Sequence, residues 1–97
     1  MTLQANPDCN KVFTTGLQEY QQKKFTQALI SFQSAVQCNP KFEQAYMAIA
    51  DVYALRGNDS QAIEALLKAT QIRPDNSLTL RALSTLYLKN GMHLKAL

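Results

Sequence analysis

Residues 43–76 read EQAYMAIADVYALRGNDSQAIEALLKATQIRPDN, and this stretch determines the fold class. Its first half places apolar and small side chains at i, i+3, i+4 and i+7, the spacing of one helix face: Tyr46, Ile49, Ala50 and Tyr53. Its second half carries a similar face: Ala62, Leu66, Ala69 and Ile72. Gly57, between the halves, suits the left-handed turn that ends a helix, and Pro74 cannot continue one. The stretch therefore predicts a helix, a tight turn, a second helix and a stop.

The same pattern recurs at an interval of 34 residues along the chain. The positions that match in kind are Ala28, Ala62 and Ala96; Ala35 and Ala69; Pro40 and Pro74; Gly57 and Gly91; Tyr53 and Tyr87; and Gly16, Ala50 and Ser84. Small residues in the middle of a helix let two helices approach closely, because a larger side chain would force them apart. The repeat predicts helices near 10–22, 26–38, 43–56 and 77–90, a helix capped by Asp59 or Ser60, and a sixth that begins at about Met92.

This spacing resembles the signature of the tetratricopeptide repeat family, W-x₂-L-G-x₂-Y, then A-x₃-F, then P. The second repeat reads Tyr46-x₂-Ile49-Ala50-x₂-Tyr53, Ala62-x₃-Leu66 and Pro74; the first, Val12-x₂-Thr15-Gly16, Ala28-x₃-Phe32 and Pro40; the third, Leu80-x₂-Leu83-Ser84-x₂-Tyr87 and Ala96. One departure is Glu19, where the family has an aromatic residue, with Tyr20 beside it. The resemblance implies an all-α, right-handed superhelix of antiparallel helix pairs. It implies one domain over 1–97, with repeats at 9–42 and 43–76 and a partial repeat at 77–97.

In the family that the chain resembles, the first helices of successive repeats line a concave groove that holds a peptide or helix of a partner protein. The sequence supports such a surface, since Phe13, Leu17 and Tyr20 form a second stripe beside the one that starts at Val12. The equivalent positions in later repeats are Met47, Asp51 and Ala54, then Arg81, Thr85 and Leu88. We predict that the groove is lined by Phe13, Leu17, Tyr20, Met47, Asp51, Arg81 and Thr85. The alternative for Phe13 and Leu17 is packing against an N-terminal segment or a neighbouring molecule.

The resemblance also argues against one class of ligand. Family members that bind the C-terminal carboxylate of heat-shock chaperones use Lys, Asn and Arg at five groove positions. The matching residues here are Phe13, Leu17, Ala48, Leu78 and Ala82. None can donate a side-chain hydrogen bond to a carboxylate, so we do not expect a chaperone tail as the ligand. An apolar segment or an amphipathic helix suits this groove better.

Composition and charge indicate a helical protein without membrane or nucleic-acid features. The chain has 97 residues, 46% of them hydrophobic, and a net charge of +3. It has no run of about 18 apolar residues and no secretory signal, so the expected location is cytoplasmic, without membrane partners. Residues 77–97 hold basic side chains and no acid, which we interpret as a solvated face, with contact to an acidic or phosphate-bearing partner as the alternative: Arg81, Lys89, His93 and Lys95. The net charge is mild and no aromatic residues are interleaved with the basic ones in this region, so we do not expect a nucleic-acid partner.

No arrangement of residues indicates catalysis. His93 is the single histidine, and the sequence has neither a metal-binding motif nor a glycine-rich phosphate loop. We therefore expect a scaffold and not an enzyme, with no cofactor and no metal. We interpret Cys9 and Cys38 as small, partly buried residues. A bridge between them is the alternative, because an antiparallel hairpin brings the start of its first helix near the end of its second.

A second function class is self-association. The sequence stops at Leu97, inside the predicted sixth helix, which would normally cover a stripe formed by Leu80, Leu83 and Tyr87. We expect these three residues to be partly exposed in a monomer or buried between copies of the chain. The alternative function is then homo-oligomerisation of a larger protein through its uncapped C-terminal helices.

Overall fold

A computed structural model describes residues 9–90 of the chain, and five α-helices make up most of this span. The helices are α1 (Cys9–Gln21), α2 (Phe25–Cys38), α3 (Glu43–Leu55), α4 (Asp59–Ile72) and α5 (Ser77–Lys89). The predicted all-α fold class is confirmed, and the four helices with predicted bounds agree with the observed ones to within one residue. The predicted sixth helix, from Met92, lies outside the described residues.

Successive helices form antiparallel pairs that stack into a short solenoid. The most extensive packing is between α1 and α2 and between α3 and α4, while α2–α3 and α4–α5 contacts join one pair to the next. The helices have 13 or 14 residues, so each is about 20 Å long. Within residues 9–90, no helix is long and apolar enough to cross a membrane.

The turns inside the two helix pairs have the same backbone geometry. Gly57 has a φ of +81°, as its place after α3 predicts. Lys23 stands 34 residues earlier and also has a positive φ, of +64°. In both turns the amide of the following residue donates to a carbonyl five residues back, Lys24 to Glu19 and Asn58 to Tyr53, each at 2.8 Å. The first repeat therefore holds a lysine in a conformation that favours glycine.

Proline ends the second helix of each pair as predicted. Helix α2 ends at Cys38, two residues before Pro40, and α4 ends at Ile72, two residues before Pro74. The intervening residues, Asn39 and Arg73, are extended, because proline disfavours helical geometry in the residue before it.

The core follows the small-residue register. Ala28, Ala62 and Ala69 are fully buried, and Gly16 packs directly beneath the ring of Phe32. The main cluster runs through all four helices from α2 to α5. A second, smaller cluster joins the start of α1, the end of α2 and the start of α3: Ala35, Phe42 and Ala45, with Cys9, Val12, Phe13 and Val36 against it.

The expectation for the stripe on α5 is wrong for one of its three residues. Leu83 is only 7% exposed and belongs to the main core cluster, because it packs within the α4–α5 layer. Leu80 is 43% exposed and Tyr87 is half-buried, as expected of both. The uncovered part of this stripe is therefore narrower than the sequence suggests.

Cys9 and Cys38 form a disulfide bond, which corrects our interpretation of them as unlinked small residues. Their Cα atoms are 5.5 Å apart, because α1 begins beside the end of α2. Both residues are partly buried. The bond closes the open end of the first helix pair.

Candidate functional site: the concave groove

Helices α1, α3 and α5 stand side by side and line a concave groove of about 640 Å³. The structure brings all seven predicted groove residues into its lining: Phe13, Leu17, Tyr20, Met47, Asp51, Arg81 and Thr85. They meet there because the first helix of each pair presents the same face at the same point of the 34-residue repeat. Side chains of the second helices, including Phe32 and Leu66, form part of the floor.

The repeat arranges the lining in rows that cross the three helices. Phe13, Met47 and Arg81 occupy equivalent positions and form the first row. One helical turn further on, Leu17, Asp51 and Thr85 form the second row. Along the first row the chemistry changes from aromatic at α1, through a flexible thioether at α3, to a guanidinium at α5.

Phe13 belongs to the groove wall and to the core. Its ring lies 5.6 Å from that of Phe32 and 4.9 Å from that of Phe42, measured between ring centroids. The sequence left open what packs against the second stripe of α1, and Phe32 and Phe42 cover part of it at Phe13. Leu17, one turn later, is 40% exposed and presents its side chain to the groove. Leu17 is therefore the freer apolar contact for a ligand.

Tyr20 and Asp51 are joined across the groove wall. The Tyr20 hydroxyl donates a hydrogen bond to Asp51 Oδ2, which links α1 to α3. This bond, with partial desolvation and the charge of Asp51, raises the pKa of Tyr20 to about 12, so the phenol stays protonated at neutral pH. The ring of Tyr20 packs edge-on against Phe25, with centroids 5.4 Å apart. One Asp51 oxygen is thus already occupied by the protein.

Glu19, the departure from the family pattern, is accommodated by a polar contact. Ser31 Oγ donates to Glu19 Oε1 at 2.6 Å, which joins α1 to α2. In the second repeat the equivalent residue is Tyr53, whose hydroxyl accepts from Gln33 Nε2 at 3.3 Å. Glu19 therefore connects α1 to α2, and Tyr53 connects α3 to α2. The Glu19 bond thus lies within the first helix pair, whereas the Tyr53 bond joins α3 to the pair before it, and Tyr53 also packs against the main core cluster.

Two polar junctions that the sequence analysis missed fix α5 in place. Glu43 is only 7% exposed; it accepts from Asn76 Nδ2 and lies 3.9 Å from Arg73 Nη1. Asn76 also caps α5, since its Oδ1 accepts from the Leu78 amide at 3.0 Å. The sequence signal was an Asn immediately before an apolar helix, a common N-cap arrangement.

The second junction lies at the other end of α5. Asp59 Oδ2 accepts from Asn90 Nδ2 at 3.0 Å and lies 3.4 Å from Lys89 Nζ. These bonds span about one repeat, 30 or 31 residues, so they tie the start of α4 to the end of α5. Together with the Glu43 junction they position Arg81 and Thr85 at the groove.

The groove offers few hydrogen-bonding groups to a ligand. The five apolar positions that the sequence analysis compared with a carboxylate-binding groove all lie in the lining: Phe13, Leu17, Ala48, Leu78 and Ala82. Leu78 is 62% exposed, which is more than any other large apolar side chain in residues 9–90. The arrangement can bury apolar groups, and among the described residues of the lining only Asp51 and Arg81 carry charge.

Comparison with known proteins identifies the family. The family model described as tetratricopeptide repeat matches residues 19–86, and the chain belongs to this family. The peroxisomal targeting signal receptor of Komagataella phaffii is 31% identical over 68 residues, which are 70% of this chain and 12% of that protein. BBSome complex member BBS4 of Bos taurus is 31% identical over 74 residues, 76% of this chain and 14% of that protein. The chain thus spans a small part of the length of these relatives. Membership of the tetratricopeptide repeat family places it in the class of protein-interaction scaffolds.

A solved structure supports the fold. The crystal structure of MamA superimposes with a TM-score of 0.84 at 23% sequence identity, over 87% of this chain and 49% of that one. At this identity the likeness concerns the arrangement of the helices alone.

Proposed function

We propose that this chain is an adaptor that holds an apolar peptide or helix of another protein in its concave groove, without catalysing a reaction. The observation that supports the proposal is the exposure of large apolar side chains on the concave face. Leu17 is 40% exposed and Leu78 is 62% exposed, and both line the same 640 Å³ groove. Burying these side chains against a ligand would remove apolar surface from water, which stabilises the complex by about 25 cal/mol for each Å² buried.

The proposal is tested with two groove substitutions and a matched control. Leu17→Glu and Leu78→Glu place charge in the groove at exposed positions, so the fold is retained. Ile30→Glu makes the same change at a residue that is 58% exposed on α2 and outside the groove lining. Phe13 is unsuitable for this purpose because its ring packs against Phe32 and Phe42.

The measurement is paired capture from source lysate with chains whose helicity has been verified. We expect wild type and Ile30→Glu to retain the same partner, and both groove variants to lose it. Capture of the same proteins by all four chains would contradict the proposal, since the groove would then not be the binding surface.

The alternative is self-association through α5. Leu80 and Leu88 are 43% and 59% exposed on this helix, while Leu83 is buried and takes no part. This function predicts a concentration-dependent dimer that Leu80→Glu disrupts and Leu17→Glu leaves intact. Sedimentation velocity of the three chains distinguishes it from the adaptor, which stays monomeric in each case.

A further inference from the structure

The groove is chemically unequal at its two ends. At the α1 end, Phe13 and Leu17 present apolar surface, and Met47 continues it on α3. At the α5 end, the first row finishes with Arg81, whose side chain is exposed. Thr85, in the second row, adds no charge and donates its hydroxyl to the Arg81 carbonyl at 3.0 Å. The asymmetry is between an apolar half and a cationic edge.

The positive charge of Arg81 is not balanced by the groove itself. Within residues 9–90 the two side-chain ion pairs are Arg73 with Glu43 and Lys89 with Asp59, and neither includes Arg81. Helix α5 contains no acidic residue. Within residues 9–90 the one acid in the groove lining is Asp51, and its Oδ2 already accepts from Tyr20. An exposed guanidinium beside apolar surface therefore lacks a carboxylate partner in the described part of the chain.

We infer that the segment bound in the groove carries an Asp or Glu side chain that pairs with Arg81, at one end of a short apolar stretch. The inference rests on the proposed function and adds the chemistry and direction of the ligand. Guanidinium binds carboxylate through two parallel hydrogen bonds, which orients a ligand as well as attracting it.

The geometry sets the spacing of the ligand's side chains. Directly packed helices lie about 8–10 Å apart, and neither α1 with α3 nor α3 with α5 is packed as closely as the antiparallel pairs, so the two steps from α1 to α5 cover at least about 16–20 Å. An extended chain advances about 3.3 Å per residue, and this distance corresponds to about five or six residues. Side chains of an extended chain alternate between its two faces, so the acid should stand an even number of residues, at least about six, from the apolar side chain near Leu17 and at least about four from the one near Met47. The thioether of Met47 can adapt to differently shaped apolar side chains.

The test is selection of a random peptide library on the 97-residue chain and on three variants. Arg81→Glu reverses the charge at the groove edge, and Arg56→Glu makes the same change at an exposed residue outside the groove lining. Leu17→Glu places a charge in the apolar half of the groove and should prevent it from binding apolar side chains. We expect peptides selected on wild type and on Arg56→Glu to combine apolar residues with Asp or Glu at the stated spacing. Peptides selected on Arg81→Glu should lose the acid and gain Lys or Arg there.

One selected peptide is then synthesised in two forms that differ only by Glu or Gln at the acidic position. We expect Gln to weaken binding to wild type by about two- to fivefold, less at high salt, and to leave binding to Arg81→Glu unweakened. Apolar peptides that depend on Leu17 but show no acid preference would overturn the inference and leave the adaptor function standing. No enrichment on wild type, or the same enrichment on Leu17→Glu, would overturn the adaptor function as well.

Discussion

Replacement of Gly16 by alanine tests the close approach of α1 to α2 at Phe32. A Cβ atom at Gly16 would lie 2.6 Å from Phe32 Cε1 and 2.7 Å from Cδ1. Favourable carbon–carbon contacts are about 3.5–4.0 Å, so the ring or the helix would have to move by about 1 Å. Phe32 is fully buried and its ring packs on Phe13, so it has no room to withdraw.

The magnitude follows from two opposing effects. Overpacking of a core costs about 1–3 kcal/mol. Alanine in a helix interior recovers about 0.5–1 kcal/mol relative to glycine. We therefore expect Gly16→Ala to lower the free energy of unfolding by about 1–2 kcal/mol, and the Tm by about 5–10 °C in a domain of this size. Urea unfolding followed by circular dichroism measures the free energy directly.

A second substitution verifies the cause. Phe32→Leu shortens the opposing side chain and by itself destabilises the core by creating a cavity. In the double variant the two changes should compensate in part, with a coupling of at least about 0.5 kcal/mol. A neutral or stabilising Gly16→Ala, or strictly additive effects in the double variant, would refute the close approach and with it the register of the first repeat.

Three further predictions concern stability. Lys23→Gly should raise the free energy of unfolding by about 0.5–1 kcal/mol because Lys23 has a positive φ, whereas Gly57→Ala should lower it by about 1 kcal/mol. Denaturant unfolding of both variants measures these changes, and effects of the same sign would contradict the prediction. Ala62→Leu should cost about 1–3 kcal/mol, since Ala62 is fully buried, and unchanged thermal stability would show that the repeat register is wrong. Loss of the disulfide in Cys38→Ser should cost about 2–4 kcal/mol, since it joins residues 29 apart. A reductant should lower the Tm of wild type but not that of this variant, and a wild-type Tm that ignores the reductant would count against the bond.

The positions of the helices could be predicted because their signals are local. Each rests on side-chain period and on one stop residue, as with Pro40 and Pro74, where the helices end two residues earlier. The groove lining followed from the same register, since residues 34 apart occupy the same face of successive helices. Neither required knowledge of a distant contact.

What the sequence could not provide depends on long-range contacts. The 29-residue spacing of Cys9 and Cys38 is compatible with free thiols or with a bond, and only the position of α1 beside the end of α2 decides between them. Asp51 reads as a free groove charge until Tyr20, 31 residues away, is seen to bond it. Leu83 was expected to be partly exposed because the sequence does not reveal how deeply α5 sits against the core.

The disulfide also determines where this solenoid should start to come apart. Repeat arrays open from their ends, one unit at a time, because each unit contacts only its neighbours. Helix α1 has poor helix formers such as Thr14 and Thr15 and would be expected to fray early, but the bond at Cys9 ties its first residue to the end of α2. Amide exchange should therefore be slower in α1 than its sequence indicates, and α1 should not be the first of the helices α1 to α5 to open.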